Sequence, residues 1–317
     1  RCELVMELKC VSKDEYSNIV KVNKYVYNNV WFHELNKGKV DYIEYMLFKA
    51  KKYKMGIIVG VKNGEMRIPY SSPFEVFEQL TNDISLEDIR DALRLIDGYC
   101  KFKEIRKIMF RLPPNFYDEH FLGKMQNSLI NAGYKVEYCD LNYQFYIHSD
   151  EYLKNHMKRN ARKNLRTSEA GEYKLYYCNN LDDKKKAYEI IRINRSEKGY
   201  PLRMTWNQVS ETIEKIEHDI FILQSGENMV AAAIIFLVTE DIYQVIYWGD
   251  ISEYSALRPM NYLAYHLYLY YLEKGIRILD IGPSTEEGIP NYGLCSFKES
   301  IGCETSCKMT YTKSIQE

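Results

Sequence analysis

Ten consecutive apolar residues, Met229 to Val238, are the strongest constraint this sequence places on its fold. The run is about half of what a bilayer span needs. A strand that is apolar at every position must instead be covered on both faces by other protein. Turn chemistry brackets it, Ser225-Gly226-Glu227-Asn228 on one side and Thr239-Glu240-Asp241 on the other. Strands are expected at 220–224 and 242–248, so three strands follow one another at the centre of a layered sheet-and-helix body.

The rest of that half can be placed around them. A strand is expected at 172–178 and a helix at 181–195, with Ala187, Ile190, Ile191 and Asn194 on one face. Thr205-Trp206-Asn207-Gln208 opens a second helix reaching about 217. Pro259 suits the first turn of a third helix, which Gly275 ends. A strand at 277–281 leads through a loop holding Gly282, Gly288 and Gly293 into a short helix at 294–300, and a last strand covers 305–312. The order is β-α-α-β-β-β-α-β-α-β. The N-terminal half is a looser copy: a strand at 4–11, helices at 12–23 and 40–52, and strands at 56–61 and 65–70. Those two strands are joined by Lys62-Asn63-Gly64-Glu65, a hairpin signal. A capping box at Ser85-Leu86-Glu87-Asp88 starts a helix to 99, a strand at 105–112 stops at Pro113-Pro114, a helix at 119–132 is capped by Gly133, and a strand covers 134–147. With 317 residues, about two domains are expected. They fall at 1–149 and 150–317, in a mixed α/β class with α+β character, each domain a mixed central sheet flanked by helices.

Charge narrows the partners. Lys+Arg number 43 and Asp+Glu 44, a net charge of -1, so no polyanion is gripped by the whole surface. Positive charge is local: the segment 154–166 carries six Lys/Arg and no acid. Leu153, Met157, Ala161 and Leu165 recur there every four residues and can form one apolar stripe, beside a row of Lys158, Arg162 and Arg166. Arg159 and Arg162 are candidate phosphate contacts within this patch, the alternative being an ordinary solvated face. The eight cysteines include no C-x-x-C pair, which points to reduced thiols in a cytoplasmic protein and to no metal site. No signal-peptide pattern or membrane span is visible, in a chain that begins with Arg.

Three stretches then point to a family. Ile278-Leu279-Asp280-Ile281-Gly282-Pro283-Ser284 contains D-x-G-x-S at a strand end, and Gly293-Leu294-Cys295-Ser296-Phe297-Lys298-Glu299-Ser300-Ile301-Gly302 reads G-L-x-x-F-K-x-x-x-G. The third is the basic run Met157-Lys158-Arg159-Asn160-Ala161-Arg162-Lys163-Asn164, with Ser72-Pro73-Phe74 a weaker echo. These stretches, and the repeated element order, resemble the Fem family of peptidoglycan aminoacyltransferases and FemAB-like acetyltransferases, built from two GNAT-like domains in tandem. The resemblance implies acyl or aminoacyl transfer to an amine or hydroxyl of a cell-envelope precursor or other glycan, in a cleft between the domains. On this resemblance no tightly bound cofactor is expected, and acyl-CoA, aminoacyl-tRNA and an acyl-carrier protein stay open as donors. Two features depart from the pattern: no long helical arm interrupts the second half, and the segment 250–259, where GNAT enzymes hold a pyrophosphate on glycines, contains none.

The site residues follow. For Lys298, expected in the first turns of its short helix, the resemblance implies donor or transition-state contact; otherwise it is a surface lysine paired with an acid. Asp280, at the carboxyl edge of the sheet, can orient an amine, act as base or cap the following turn. Ser284 and Asn291 can contact ligand from the same loop or serve the turn. Tyr247 and Trp248 can wall the site or pack the core, and Arg258 can replace the missing phosphate-binding glycines. Two readings compete with the enzyme: a GNAT-like ligand-binding protein without chemistry, and an RNA-binding protein using 154–166.

Overall fold

The computed structural model describes residues 6–315. The chain divides into two compact units, 1–140 with 306–317, and 141–305.

The first unit begins with strand β1 (Glu7–Val11), helices α1 (Lys13–Ile19) and α2 (Val30–Asn36), then strands β2 (Tyr42–Lys49), β3 (Tyr53–Lys62) and β4 (Glu65–Ile68). Residues 4 and 5 of the expected first strand lie outside the described residues. A two-residue strand β5 (Glu78–Gln79), helix α3 (Leu86–Phe102), strand β6 (Lys107–Arg111), helix α4 (Glu119–Asn131) and strand β7 (Lys135–Tyr146) complete the first pass. The β3–β4 turn has Asn63 at φ 53° and Gly64 at φ 75°, the left-handed pair that an Asn-Gly hairpin needs. The expected capping box is present: the Ser85 hydroxyl accepts from the Asp88 amide and the Asp88 carboxylate from that of Ser85. Ile89, Ala92, Leu93, Ile96 and Cys100 make the buried face of α3.

One expectation fails here. The helix expected at 40–52 is strand β2, paired with β1 and β3. Tyr45, Met46, Leu47 and Phe48 are all buried, because β2 is covered on both faces. A short apolar run of this kind matches helical and strand periodicity equally well.

In the second unit, helices α5 (Asp150–His156) and α6 (Arg159–Glu169) precede strand β8 (Tyr173–Tyr177), helices α7 (Leu181–Lys198) and α8 (Trp206–Ile213), and strands β9 (His218–Ser225), β10 (Asn228–Thr239) and β11 (Ile242–Asp250). Helix α9 (Pro259–Glu273), strand β12 (Ile278–Pro283), a two-residue ladder of β13 (Thr285–Glu286) with β14 (Ile289–Pro290), helix α10 (Tyr292–Ser300) and strand β15 (Glu304–Ser314) follow. As its sequence requires, β10 is central: it pairs with β9 and β11, and residues 230–236 are all buried. The tyrosine-rich α9 buries Leu263, Ala264, Leu267, Tyr268 and Tyr271 and leaves Tyr262, Tyr265 and Tyr270 half-buried, and its hydroxyls find partners. Tyr271 donates to Asp219 Oδ2 at 2.9 Å, Tyr265 to Asp150 Oδ1 at 2.8 Å and Tyr262 to the Tyr173 carbonyl at 3.1 Å.

Each unit repeats one plan. Antiparallel β2-β3-β4 meets β6 in parallel after α3, and antiparallel β9-β10-β11 meets β12 in parallel after α9. The last strands are exchanged. The end of β7 pairs with β12, and β15 pairs with β6, Thr310–Ser314 against Lys107–Arg111. The expected domain limits of 1–149 and 150–317 kept each final strand with its own half. The structural division runs through β7 and β15 instead, since hydrogen-bond partners rather than chain order decide membership.

Candidate functional site

The site is built on the carboxyl end of β12. Between Asp280 and Gly282 the ladder with β7 slips by one residue, and Gly282 sits at φ 77°, a left-handed position that an L side chain rarely takes. The slip bends the strand end and turns the carbonyls of residues 281–283 toward α10. The chain continues through Ser284, whose amide donates to the Leu141 carbonyl at 3.0 Å, and through a turn with Glu287 and Gly288 both at positive φ. It then enters α10, capped by the Asn291 side chain, which accepts from the Leu294 amide at 3.0 Å.

Lys298 points back from α10 to the bent strand end. Its Nζ donates to the carbonyls of Ile281 at 3.2 Å, Gly282 at 2.9 Å and Pro283 at 3.2 Å, so its three protons have three acceptors. The Tyr143 ring centroid lies 5.4 Å from Nζ. The side chain is 2% exposed. Burial pushes the ammonium down to about 8, with the Cys303 and Asp280 charges opposing the shift and that of Arg195 adding to it. The expected position in the first turns of the helix is corrected: α10 begins at Tyr292, so Lys298 lies in its last turn, away from the helix's free amides. Neither a surface ion pair nor an open groove receives this nitrogen.

Asp280 is wholly buried at 0% exposure. Its carboxylate accepts from Asn142 Nδ2 at 2.8 Å, Gln244 Nε2 at 2.7 Å and the Gly282 amide at 2.8 Å. Three N–H donors around an acceptor-only group make it the organiser of the Gly282 turn, and a base must reach substrate, which this carboxylate does not.

The remaining expected residues separate into three places. Ser284 and Asn291 flank the loop. The Ser284 hydroxyl is buried without a hydrogen-bond partner, and Asn291 Nδ2 donates to the Tyr200 hydroxyl at 2.8 Å. Trp248 packs on Phe297 with ring centroids 6.3 Å apart, inside the core. Tyr247 is buried, its ring 5.5 Å from the Arg195 guanidinium carbon. Arg258 is exposed at φ 55° as the N-cap of α9. The loop before it is a 3₁₀ turn, Ser252–Leu257, and the Ser252 amide is taken by Glu197 Oε2 at 3.0 Å.

Arg159 and Arg162 lie together. The expected continuous basic helix is broken at Met157-Lys158, which are extended, but Leu153, Met157 and Ala161 still face the core. Arg159, Arg162, Lys163 and Arg166 line a surface recess of about 370 Å³. Lys158, at the break, pairs with Glu299 at 3.0 Å.

Sequence reasoning missed Arg195 and Tyr200. Gly199, at φ 66°, ends α7 in a left-handed cap, and the Tyr200 amide returns to the Arg195 carbonyl at 2.9 Å. This folds the Tyr200 ring over the guanidinium, 5.8 Å from centroid to carbon. The only signal was a Gly four residues after an Arg at the end of an amphipathic run, which is also that of any helix end.

Among the described residues, no helix is long and apolar enough to cross a membrane. No protein family's sequence profile matches the chain, and no curated protein matches it by sequence. Solved structures do. FemX superposes with a TM-score of 0.69 at 12% identity, covering 96% of each chain. L-PGS from Bacillus licheniformis gives 0.60 at 11% identity, over 98% of this chain and 94% of that one. A tandem GNAT protein from the clavulanic acid biosynthesis pathway gives 0.53 at 8% identity, over 98% and 99%. The repeated β-α-α-β-β-β-α-β-α-β plan and these end-to-end superpositions agree: the chain has the Fem-like tandem GNAT fold.

Proposed function

We propose that the protein is an acyl- or aminoacyltransferase that moves an activated acyl group to an amine or hydroxyl of a cell-envelope precursor or other glycan. The observation that carries this reading is the clamp of Lys298 on the carbonyls of residues 281–283: a fully buried, partly desolvated ammonium fixing the end of a sheet strand, where α/β folds place their ligands. In the reaction, the acceptor nitrogen or oxygen bonds to the acyl carbon and the bond to the ribose oxygen or thiol sulfur of the donor breaks. The acceptor's proton leaves with that oxygen or sulfur. An activated donor needs mostly orientation, which can supply about 7–11 kcal/mol of the barrier. Lys298 acts as a positioning residue, holding the strand end and setting a positive field beneath it. The engaged amide of Ser252 and the glycine-free loop favour an aminoacyl ester over acyl-CoA as donor.

The test measures transfer from aminoacyl-tRNA mimics and acyl-CoA species to nucleotide-linked muropeptides. Lys298→Met is expected to lose at least about 100-fold in kcat, on the scale of a lost electrostatic group. In the unmodified protein the rate should fall above pH about 8, as Lys298 gives up its proton. Lys298→Arg should remove that falling limb. Binding of an acceptor with no turnover from any donor would replace this reading with that of a non-catalytic ligand-binding protein.

The recess among Arg159, Arg162, Lys163 and Arg166 supports a second, compatible role, contact with the phosphates of a tRNA donor.

A further inference from the structure

Arg195 lies at the end of α7 with no acid to answer its charge. It forms no ion pair among the described residues, and its Nε, shielded from solvent, has no hydrogen-bond partner. The groups that act on its charge are its own burial and the tyrosines at 247 and 200; burial lowers its affinity for the proton. Both rings lie against the guanidinium, at 5.5 and 5.8 Å. Aromatic faces hold a guanidinium by its flat sides and leave its N–H edge for a planar or tetrahedral oxyanion.

The surroundings are built to keep it there. Gly199 folds Tyr200 back over it, and Asn291, the cap of α10, holds the Tyr200 hydroxyl. Asn291 also donates its amide to the carbonyl of Ser284, whose own hydroxyl is 3% exposed as a residue and has no partner. The charge of Arg195 adds, as the smallest contribution, to the lowering of the Lys298 ammonium. A desolvated guanidinium with an unpartnered Nε, joined through Tyr200 and Asn291 to a loop with an unanswered hydroxyl, is costly without a ligand. A purely structural arginine is normally given a carboxylate or backbone carbonyls.

We propose that Arg195, between Tyr200 and Tyr247, is the anchoring residue for an oxyanion of a substrate, a carboxylate or a phosphoryl group, seated beside the Ser284–Asn291 loop. The choice of a transferase substrate as its source rests on the function proposed above; the anion site itself does not.

The experiment titrates the intact protein with inorganic pyrophosphate and, separately, with N-acetylglycine, following heat and the 15N signal of the arginine Nε groups. One of the two probes is expected to bind and to shift one Nε signal, and which one does so separates a phosphoryl from a carboxylate source. Arg195→Met should weaken that probe at least tenfold while lowering the melting temperature only slightly, because the guanidinium makes no ion pair among the described residues and loses only its two ring contacts. Arg195→Lys should bind with intermediate strength, keeping the charge but not the two-pronged edge. No saturable binding of either probe, binding unchanged in Arg195→Met, or a large drop in melting temperature in that variant overturns the inference. If Arg195-dependent binding appears without any acyl transfer, the anion site stands and the reaction proposed above falls. If transfer occurs at unchanged KM and kcat in Arg195→Met, the converse holds.

Discussion

The buried residues of the β12 turn set the chemistry available there. Asp280 is acceptor-only, and the three donors around it use that property, so Asp280→Asn places an N–H against N–H groups. Asp280→Asn and Asp280→Ala are both expected to cost about 3 kcal/mol or more, read from denaturant unfolding. A loss below about 1 kcal/mol for Asp280→Asn would show that the carboxylate's charge and its acceptors are dispensable. Lys298 gives a pH dependence with a definite sign. Its folded-state value of about 8 lies below the ordinary 10.5, so between these values the unfolded chain binds more protons than the folded one. Stability therefore rises with pH across that window through this group, and below about 8 the desolvation penalty is present in full. Compared with Lys298→Met, the unmodified protein should gain about 1 kcal/mol or more between pH 7.5 and 9.5. An unchanged difference between the two proteins would contradict a desolvated ammonium. At Gly249 a Cβ would collide with the Asn194 side chain, which bonds to the Asp250 carbonyl at 2.6 Å. Gly249→Ala should lower the melting temperature, by about 1–3 kcal/mol in stability.

At the level of elements, helix ends do much of the positioning. The Asn291 side chain both caps α10 and holds Tyr200. Asn291→Ala should cost about 1 kcal/mol, and if the Tyr200 contact supports the anion site it should also weaken the probe that Arg195 binds. Stability loss without weaker binding would confine Asn291 to capping. The broken basic helix is a separate element. Its apolar stripe was legible as a four-residue period, but the break at Met157-Lys158 was not. The Lys158 amide donates to the Ser300 carbonyl at 2.9 Å, a contact about 140 residues away in sequence, and this pins the chain in an extended form. Removing the charges of Arg159, Arg162, Lys163 and Arg166 together should flatten the salt dependence of RNA binding by up to about four counterions. An unchanged slope would place any RNA contact elsewhere.

Over the whole molecule, the exchanged last strands tie distant parts of the chain into one cooperative problem. Residues 306–314 belong to the first unit's sheet, although about 165 residues separate them from its other members. Ending the chain before Glu304 should therefore damage the first unit, leaving β6 with β4 alone. Hydrogen exchange would show it as lost amide protection at Ile108 and Phe110. Retained protection there would mean that β15 is an accessory strand.

Local chemistry in the sequence determined most elements of the second unit and their order, but fewer of the first, where α2 had no counterpart in the expected elements and β2 was expected as a helix. Asn63-Gly64, the Ser85–Asp88 and Thr205–Gln208 boxes, Pro259 and the glycines after α4 and α9 act within a few residues, and each does so in the folded chain. The apolar run 229–238 fixed its own burial, because no other environment accepts ten such residues. What tertiary structure decided was every question of partnership. Whether residues 42–49 formed helix or strand depended on strands flanking them. Lys298 had been placed near the site by its motif, but only the bend at Gly282 showed that three carbonyls, and not an open groove, take its protons. Arg195 carried no pattern at all: an arginine without an acid is visible only when everything around it has been placed. Periodicity and capping are local and survive in one dimension, whereas desolvation and unpaired charge are properties of three-dimensional neighbours.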